Sequence, residues 1–313
     1  DPQMEIIFFV VFLIVYLVNV VGNIGMIILI TTDTQLHTPM YFFLCNLSFV
    51  DLGYSSAIAP RMLADFLTNH KVISFSSCAT QFAFFVGFVD AECYVLAAMA
   101  YGRFVAICRP LHYSTFMSKQ VCLALMLGSY LAGLVSLVAH TTLTFSLSYC
   151  GCCIYLKERA GHRKLNYSIF FILFSLFFSL IIILISYIFI LIAILRMRSA
   201  ESRRKAFSTC GSHLVAVTVF YGTLFCMYVR PPTDRSVEQS KVIAVFYTFV
   251  SPMLNPIIYS LRNKDVKQAF WKLIRRNKSM ACGRVGKTKC SERPEKDPSI
   301  CSDSEIVAAV VKE

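Results

Sequence analysis

The chain has 313 residues, 57% of them hydrophobic and only 15% charged, with a mean hydropathy of +0.63. Water-soluble domains run closer to about 45–50% apolar and about 25% charged, which argues against a soluble enzyme or a nucleic-acid-binding domain. The formal charge of +12 and the pI near 9.1 then read as a cytoplasmic surplus of Lys and Arg on a membrane protein, with no nucleic acid as partner.

The first apolar run covers about residues 6–30 and carries Gly22-Asn23. It is too long for the core of a cleavable signal, and a buried amide such as Asn23 needs partners within the bundle. The second run, about 39–63, begins at Pro39 and holds Asp51 near its middle, the depth where a charge is most expensive and functional by default. The third run, about 78–107, adds Asp90 and Glu92, and Arg103 stands at its far edge. A fourth run spans about 121–144, and a cysteine-rich then basic stretch over 146–165 reads as a loop. The fifth run covers about 169–195 and is followed by a basic connector over 203–210. The sixth covers about 214–229 and the seventh about 243–261, with Pro252 and Pro256 inside the last as tolerated kinks.

Those seven runs predict an all-α membrane protein built as a seven-transmembrane helix bundle. Residues 264–276 then alternate apolar Val266, Phe270, Trp271 and Ile274 with Lys267, Lys272 and Arg275, the pattern of a short amphipathic eighth helix lying on the membrane. The domain reading is a receptor-like body over 1–276 and a disordered cytoplasmic tail over 277–313. Basic loops after the third and fifth runs, and a basic tail, put those segments in the cytoplasm and the N-terminus outside. The stretch from Lys157 to Lys164 runs against this rule, being basic on the outer side.

The thirteen cysteines lie mostly singly within apolar runs, as small hydrophobes, and Cys150, Cys152 and Cys153 are too crowded for a zinc site. No cofactor is expected. Aligned by their ends, the second and third runs bring Asp51 and Glu92 to similar depth, near Asn23 and Asn255. Such a group can hold a sodium ion or share a proton. It can equally be a hydrogen-bonded plug that fixes helix packing, and with Asp90 it would also suit a proton-coupled small-solute transporter. Transporters usually repeat one half in the other, and no repeat is visible. Arg103 reads either as a positive-inside anchor or as a functional charge. Asn255-Pro256, with Tyr259 one turn on, reads as a static kink or as a hinge.

Four stretches carry a resemblance. They are Met99-Ala100-Tyr101-Gly102-Arg103-Phe104-Val105-Ala106-Ile107-Cys108, Leu36-His37-Thr38-Pro39-Met40-Tyr41-Phe42-Phe43-Leu44 with Leu47-Ser48-Phe49-Val50-Asp51, Lys205-Ala206-Phe207-Ser208-Thr209-Cys210-Gly211-Ser212-His213-Leu214, and Pro252-Met253-Leu254-Asn255-Pro256-Ile257-Ile258-Tyr259. In family order, they resemble the signatures of the olfactory receptors, rhodopsin-like G-protein-coupled receptors. The resemblance implies a cell-membrane receptor, not an enzyme, whose partners are the bilayer, a small odorant and a heterotrimeric stimulatory G protein that raises cyclic AMP. It implies that Arg103 meets the G protein, that Tyr259 swings on activation about Asn255 and Pro256, and that Asn23, Asp51 and Glu92 form a buried polar or sodium site. The odorant pocket is expected in the outer half, with Phe85, Val86, Val89, Tyr221, Leu224, Phe225, Val245 and Thr248 as candidate lining residues.

The chain also departs from that pattern. Gly102 stands where the family has an aspartate, and Phe104 where it has a tyrosine. The loop between the fourth and fifth runs is short, and Ala160 falls roughly where the family has the cysteine that bridges to the top of the third helix. The resemblance then implies a disulfide from Cys78 to Cys152 or Cys153 as substitutes. These departures sustain a second expectation, a receptor-derived chain retained in the cell that does not signal. Of two glycosylation sequons, the one at Asn166 abuts the fifth run and the one at Asn46 lies inside a span, so neither is expected to be used.

Overall fold

The computed structural model describes residues 2–68, 73–145, 159–228, 249–259 and 265–275. Among them the long elements are helices: α1 (Pro2–Thr32), α2 (Pro39–Leu67), α3 (Phe75–Cys108), the single turn α4 (Tyr113–Phe116), α5 (Lys119–Phe145), α6 (Arg159–Arg196) and α7 (Ala200–Tyr228). Residues 249–259 form α8 and 265–275 form α9. Within the described residues five helices are long and apolar enough to cross a membrane: Ile6–Thr32 of α1, all of α2, α3 and α5, and Leu173–Arg196 of α6.

Local chemistry explains where the early helices start. Pro39 takes the first position of α2, where its missing N–H costs nothing, with Thr38 at the cap. Ser74 caps α3 by accepting the Ser77 N–H at 3.2 Å. Two later boundaries differ from the hydropathy reading. The stretch expected to be a loop as far as residue 165 turns helical at Arg159, and the basic connector over 203–210 is already the first part of α7. Hydropathy reports where a helix sits in lipid, not where its hydrogen-bond ladder begins. In α7 the solvated first turns carry a Glu201–Lys205 ion pair at 2.7 Å, the i,i+4 arrangement that supports a helix in water.

Helix α3 is central and packs against α2, α5, α6 and α7. Its middle is buried on all sides, with Val95, Leu96, Met99 and Ala100 at 1% exposure or less. Close approach to α5 depends on small residues: a Cβ on Gly133 would stand 2.5 Å from the Gly87 carbonyl oxygen. Elsewhere Phe12, Ala59 and Phe249 join α1, α2 and α8, while Ile190, Ile194 and Cys210 join α6 to α7. Large apolar side chains such as Val21, Leu131, Val135, Phe177 and Ile188 face outward instead. That surface is unsuited to water and suited to acyl chains.

The described residues divide into one compact unit that ends at Ala269 and a second that begins at Phe270. In the second, Phe270 and Trp271 are exposed with ring centroids 6.2 Å apart.

Candidate functional site

Two buried polar groupings occupy the bundle. In the first, Asn255 of α8 donates its amide to Asp51 Oδ2 at 3.0 Å, and the Glu92 carboxyl interacts with both. Asp51 and Glu92 are fully buried, yet Asp51 Oδ1 and both Glu92 oxygens have no donor. The proline kink next to them explains a further contact. Pro256 has no N–H to offer the carbonyl four residues back, at Pro252. That carbonyl instead accepts the Asn23 amide of α1 at 3.0 Å, and Asn23 also donates to Asn19 Oδ1 at 2.6 Å. Asn23 thus ties α1 to the kink, while Asn255 is the amide that reaches the acids.

The second grouping surrounds Arg103, which is 4% exposed. Its Nη1 donates to the Thr209 carbonyl of α7, while Nε has no acceptor. Tyr187 and Tyr259 both lie within electrostatic reach of the guanidinium, and the buried Tyr259 hydroxyl has no hydrogen-bond partner. Tyr187 is hydrogen-bonded to His213 Nδ1 at 2.8 Å, and His213 Nε2 lies 3.1 Å from the Leu96 carbonyl of α3, so Nε2 donates. With that tautomer, Nδ1 accepts the Tyr187 hydroxyl. One connected chain thereby crosses α6, α7 and α3. Gly102 is buried, and a Cβ there would meet Met117 Cε at 3.2 Å. Phe104, without a hydroxyl, packs its ring 5.9 Å from that of Phe189. Beyond the helix end, burial pushes the Tyr113 phenol above its ordinary pKa; Cys122 adds to this and Arg103 opposes it.

The expected odorant-pocket residues are spread unevenly. Val86 and Leu224 are buried, Phe85 and Val89 are half-buried, and the Phe85 ring lies 5.8 Å from Tyr54. Tyr221 is half-buried and shares a 2.7 Å hydrogen bond with Ser179 of α6. Phe225 is 66% exposed. Val245 and Thr248 lie outside the described residues, as do Cys152 and Cys153; Cys78, in the first turn of α3, bridges to no cysteine among the described residues.

Several polar partners were not legible as such in the sequence. Asp90 Oδ2 lies 4.0 Å from His140 Nε2, both buried, and Ser175 donates to the Tyr94 hydroxyl at 3.2 Å. Thr209 and His213 sit in a stretch that carried the family resemblance, but nothing in residue type marks a backbone carbonyl as the acceptor for Arg103. Tyr41, from another such stretch, donates to Asp265 Oδ2 at 2.9 Å.

Comparison with known proteins identifies the family. The olfactory receptor family model matches residues 12–277. Olfactory receptor 5AR1 of Homo sapiens is 78% identical over 286 residues, covering 88% of this chain and 92% of that receptor. Its Mus musculus counterpart is 74% identical over the same shares. Olfactory receptor 5M5 of Mus musculus is 58% identical, over 88% of this chain and 91% of that one. The five apolar helices correspond to the first five expected spans, while α7 overlaps the sixth and α8 lies within the seventh. The chain belongs to the olfactory receptor family: it is a multi-pass membrane protein of seven-helix architecture, a G-protein-coupled receptor and not an enzyme.

Proposed function

We propose that this receptor binds small volatile ligands inside the helix bundle and couples them to a heterotrimeric stimulatory G protein, raising cyclic AMP. The observation that carries the reading is the contact between Arg103 and the Thr209 carbonyl. It joins α3 to α7 through one side chain and one backbone group, so a small outward motion of α7 releases the guanidinium. Tyr259, buried beside it with an unpartnered hydroxyl, is placed to take up that contact when the Asn255-Pro256 kink rearranges. In this reading the N-terminus is outside and the tail cytoplasmic, with residues 1–276 as the receptor domain and 277–313 as the tail.

Ligand would enter an apolar set formed by Phe85, Val86, Val89, Tyr221 and Leu224, completed by Val245 and Thr248; Phe225, exposed, is the weakest member. Ser179 and the Tyr221 hydroxyl supply the few polar groups such a pocket uses to orient its guest. The unpartnered oxygens of Asp51 and Glu92 fit either a sodium ion or a shared proton, with Asn255 as the neutral third member. A disulfide between Cys78 and Cys152 or Cys153 would tie the outer end of α3 to its loop.

The test begins with an N-terminal tag, labelled on intact cells and again after permeabilisation. Strong outside labelling, followed by an odorant panel that raises cyclic AMP, is the expected result. Labelling only after permeabilisation favours the retained, non-signalling chain, a reading supported by Gly102, which leaves Arg103 without a neighbouring carboxylate.

A further inference from the structure

Neither of the two buried groupings uses Asp90, although that residue is only 2% exposed. Its carboxyl is within hydrogen-bonding reach of Ser136 of α5 and Ser175 of α6. Oδ2 faces His140 of α5, whose Nε2 is 4.0 Å away, a separation too long for a direct hydrogen bond. Ser175 donates its one hydroxyl proton to Tyr94 at 3.2 Å, so it has none left for Asp90. Oδ2 therefore has no hydrogen-bond partner, a costly condition for a buried carboxyl.

Position links this group to the odorant-pocket candidates. Val86, Asp90 and Cys93 recur at i, i+4 and i+7, which puts them on one face of α3. Val86 is itself a candidate lining residue, one turn from Asp90. On the other side of Asp90, the Cys93 thiol is within reach of the Tyr221 and Ser179 hydroxyls. Ser179 stands one turn from Ser175 on α6 and donates to its carbonyl at 2.8 Å. Asp90 is thus flanked along α3 by Val86 and by the Cys93–Tyr221–Ser179 group.

The gap between Asp90 and His140 selects among ligand groups. A single oxygen can stand about 2.8 Å from each of two atoms that are 4.0 Å apart. With the carboxyl ionised and Nε2 protonated, or with that proton on the carboxyl instead, the two groups present one donor and one acceptor. A hydroxyl answers both, donating to one and accepting from the other. A carbonyl oxygen only accepts and an ammonium only donates, so each would leave one of the pair unsatisfied.

We propose that Asp90 and His140 form the subsite that recognises a hydroxyl group on the ligand, so that this receptor takes small alcohols and phenols in preference to ketones or hydrocarbons of the same skeleton. The inference rests on the reading that the helix bundle binds small volatile molecules. Ser136 and Ser175 are positioning residues that hold the carboxyl, and Val86 supplies apolar contact beside it. A site built to bond a hydroxyl rejects the analogue that lacks it, because its own buried groups are then left unpaired.

The test is thermal unfolding of the purified full chain in detergent, titrated with two matched sets of probes. One set is cyclohexanol, cyclohexanone, cyclohexane and cyclohexylamine; the other is menthol, menthone and menthane. At least one alcohol should stabilise the parent at a concentration about tenfold or more below that needed by its ketone. Asp90→Leu and His140→Phe should each collapse that ratio to about twofold or less, while Asp90→Asn, which keeps a donor and an acceptor, should retain most of it. Leu131→Trp, on an outward face of α5, should leave it unchanged. Because the ratio is taken within each variant, a general loss of stability does not imitate the effect, and the parent alone is decisive if a variant fails to fold. Equal potency of alcohol and ketone on the parent, or an intact ratio in both Asp90→Leu and His140→Phe, overturns the proposal and leaves the pocket reading standing. Stabilisation by cyclohexylamine in place of the alcohols overturns it in favour of a cation. If the parent responds only to other volatile classes, the subsite falls alone; if it responds to none, the pocket reading falls with it.

Discussion

In the middle of the bundle the chain buries two carboxyl groups with no cation hydrogen-bonded to them, and at the Arg103 end it buries a cation with no carboxylate, among the described residues. The two sites face the same problem, a charge removed from water, but they have different ways out. A pair of carboxyls can accept a proton or a small cation and become nearly neutral. A guanidinium cannot release its proton, so it must be solvated by dipoles, here a backbone carbonyl of α7. The acid site is therefore suited to sensing ions and stiffening the bundle. The arginine site is suited to being carried from one set of acceptors to another. Tyr259 lies within electrostatic reach of Arg103, Asp51 and Glu92 alike, which makes it the natural link between the two.

The largest expected effect tests the arginine side. Arg103→Leu keeps the volume buried and removes the charge proposed to meet the G protein, and ligand-evoked cyclic AMP should fall by about tenfold or more at equal surface level, since a charge-assisted contact to that partner is worth about 1.5–3 kcal/mol. An unchanged response would end the idea that Arg103 meets the G protein.

Next comes the acid side. Asn255→Ala strips Asp51 Oδ2 of its donor and should destabilise the purified receptor by about 1–3 kcal/mol, read by thermal unfolding in detergent. Sodium substituted for N-methylglucamine should raise the unfolding temperature of the parent and not that of Asp51→Asn. Equal stabilisation of both would leave the proton or the plain packing role instead.

A smaller effect is expected on restoring a carboxylate to the arginine site. Gly102→Asp needs Met117 Cε to give by a few tenths of an ångström, which a flexible thioether end can do. It should lower basal cyclic AMP by roughly fivefold or raise the surface fraction, corresponding to about 1 kcal/mol of ion pairing. No change in either quantity would mean that the Thr209 carbonyl already holds Arg103 as firmly as a carboxylate would. The smallest effect belongs to the solvated start of α7, where Glu201→Gln breaks a highly exposed pair and should shift stability by no more than about 0.5 kcal/mol. A larger loss would show that those first turns are held by something other than their own helix.

Much of the architecture was legible without coordinates. Membrane spans are a one-dimensional property: about 20 apolar residues in succession suffice, so the runs beginning near Ile6, Pro39, Cys78 and Val121 come within a few residues of the observed helices. The stretches around Arg103, Asp51, Thr209 and Asn255 likewise announce the family from residue identity alone. The starts of α6 and α7 were not legible, because a helix can continue into water on its own hydrogen bonds and on pairs such as Glu201–Lys205.

Partner choice was legible only in part. Asp51, Glu92 and Asn255 could be placed together by depth, since aligned spans put residues at known heights. Which amide reaches the acids could not, because Asn23 and Asn255 share a depth and differ only in helix rotation. Rotation is decided by packing: Gly133 against Gly87 sets α5 on α3, and the Pro252 carbonyl freed by Pro256 draws Asn23 away from the carboxyls. The sequence by itself determined that this is a seven-helix olfactory receptor with buried acids and an arginine at one end. Only the tertiary structure decided that Arg103 is held by a backbone carbonyl, since a carbonyl is present at every residue and only the approach of α7 selects Thr209.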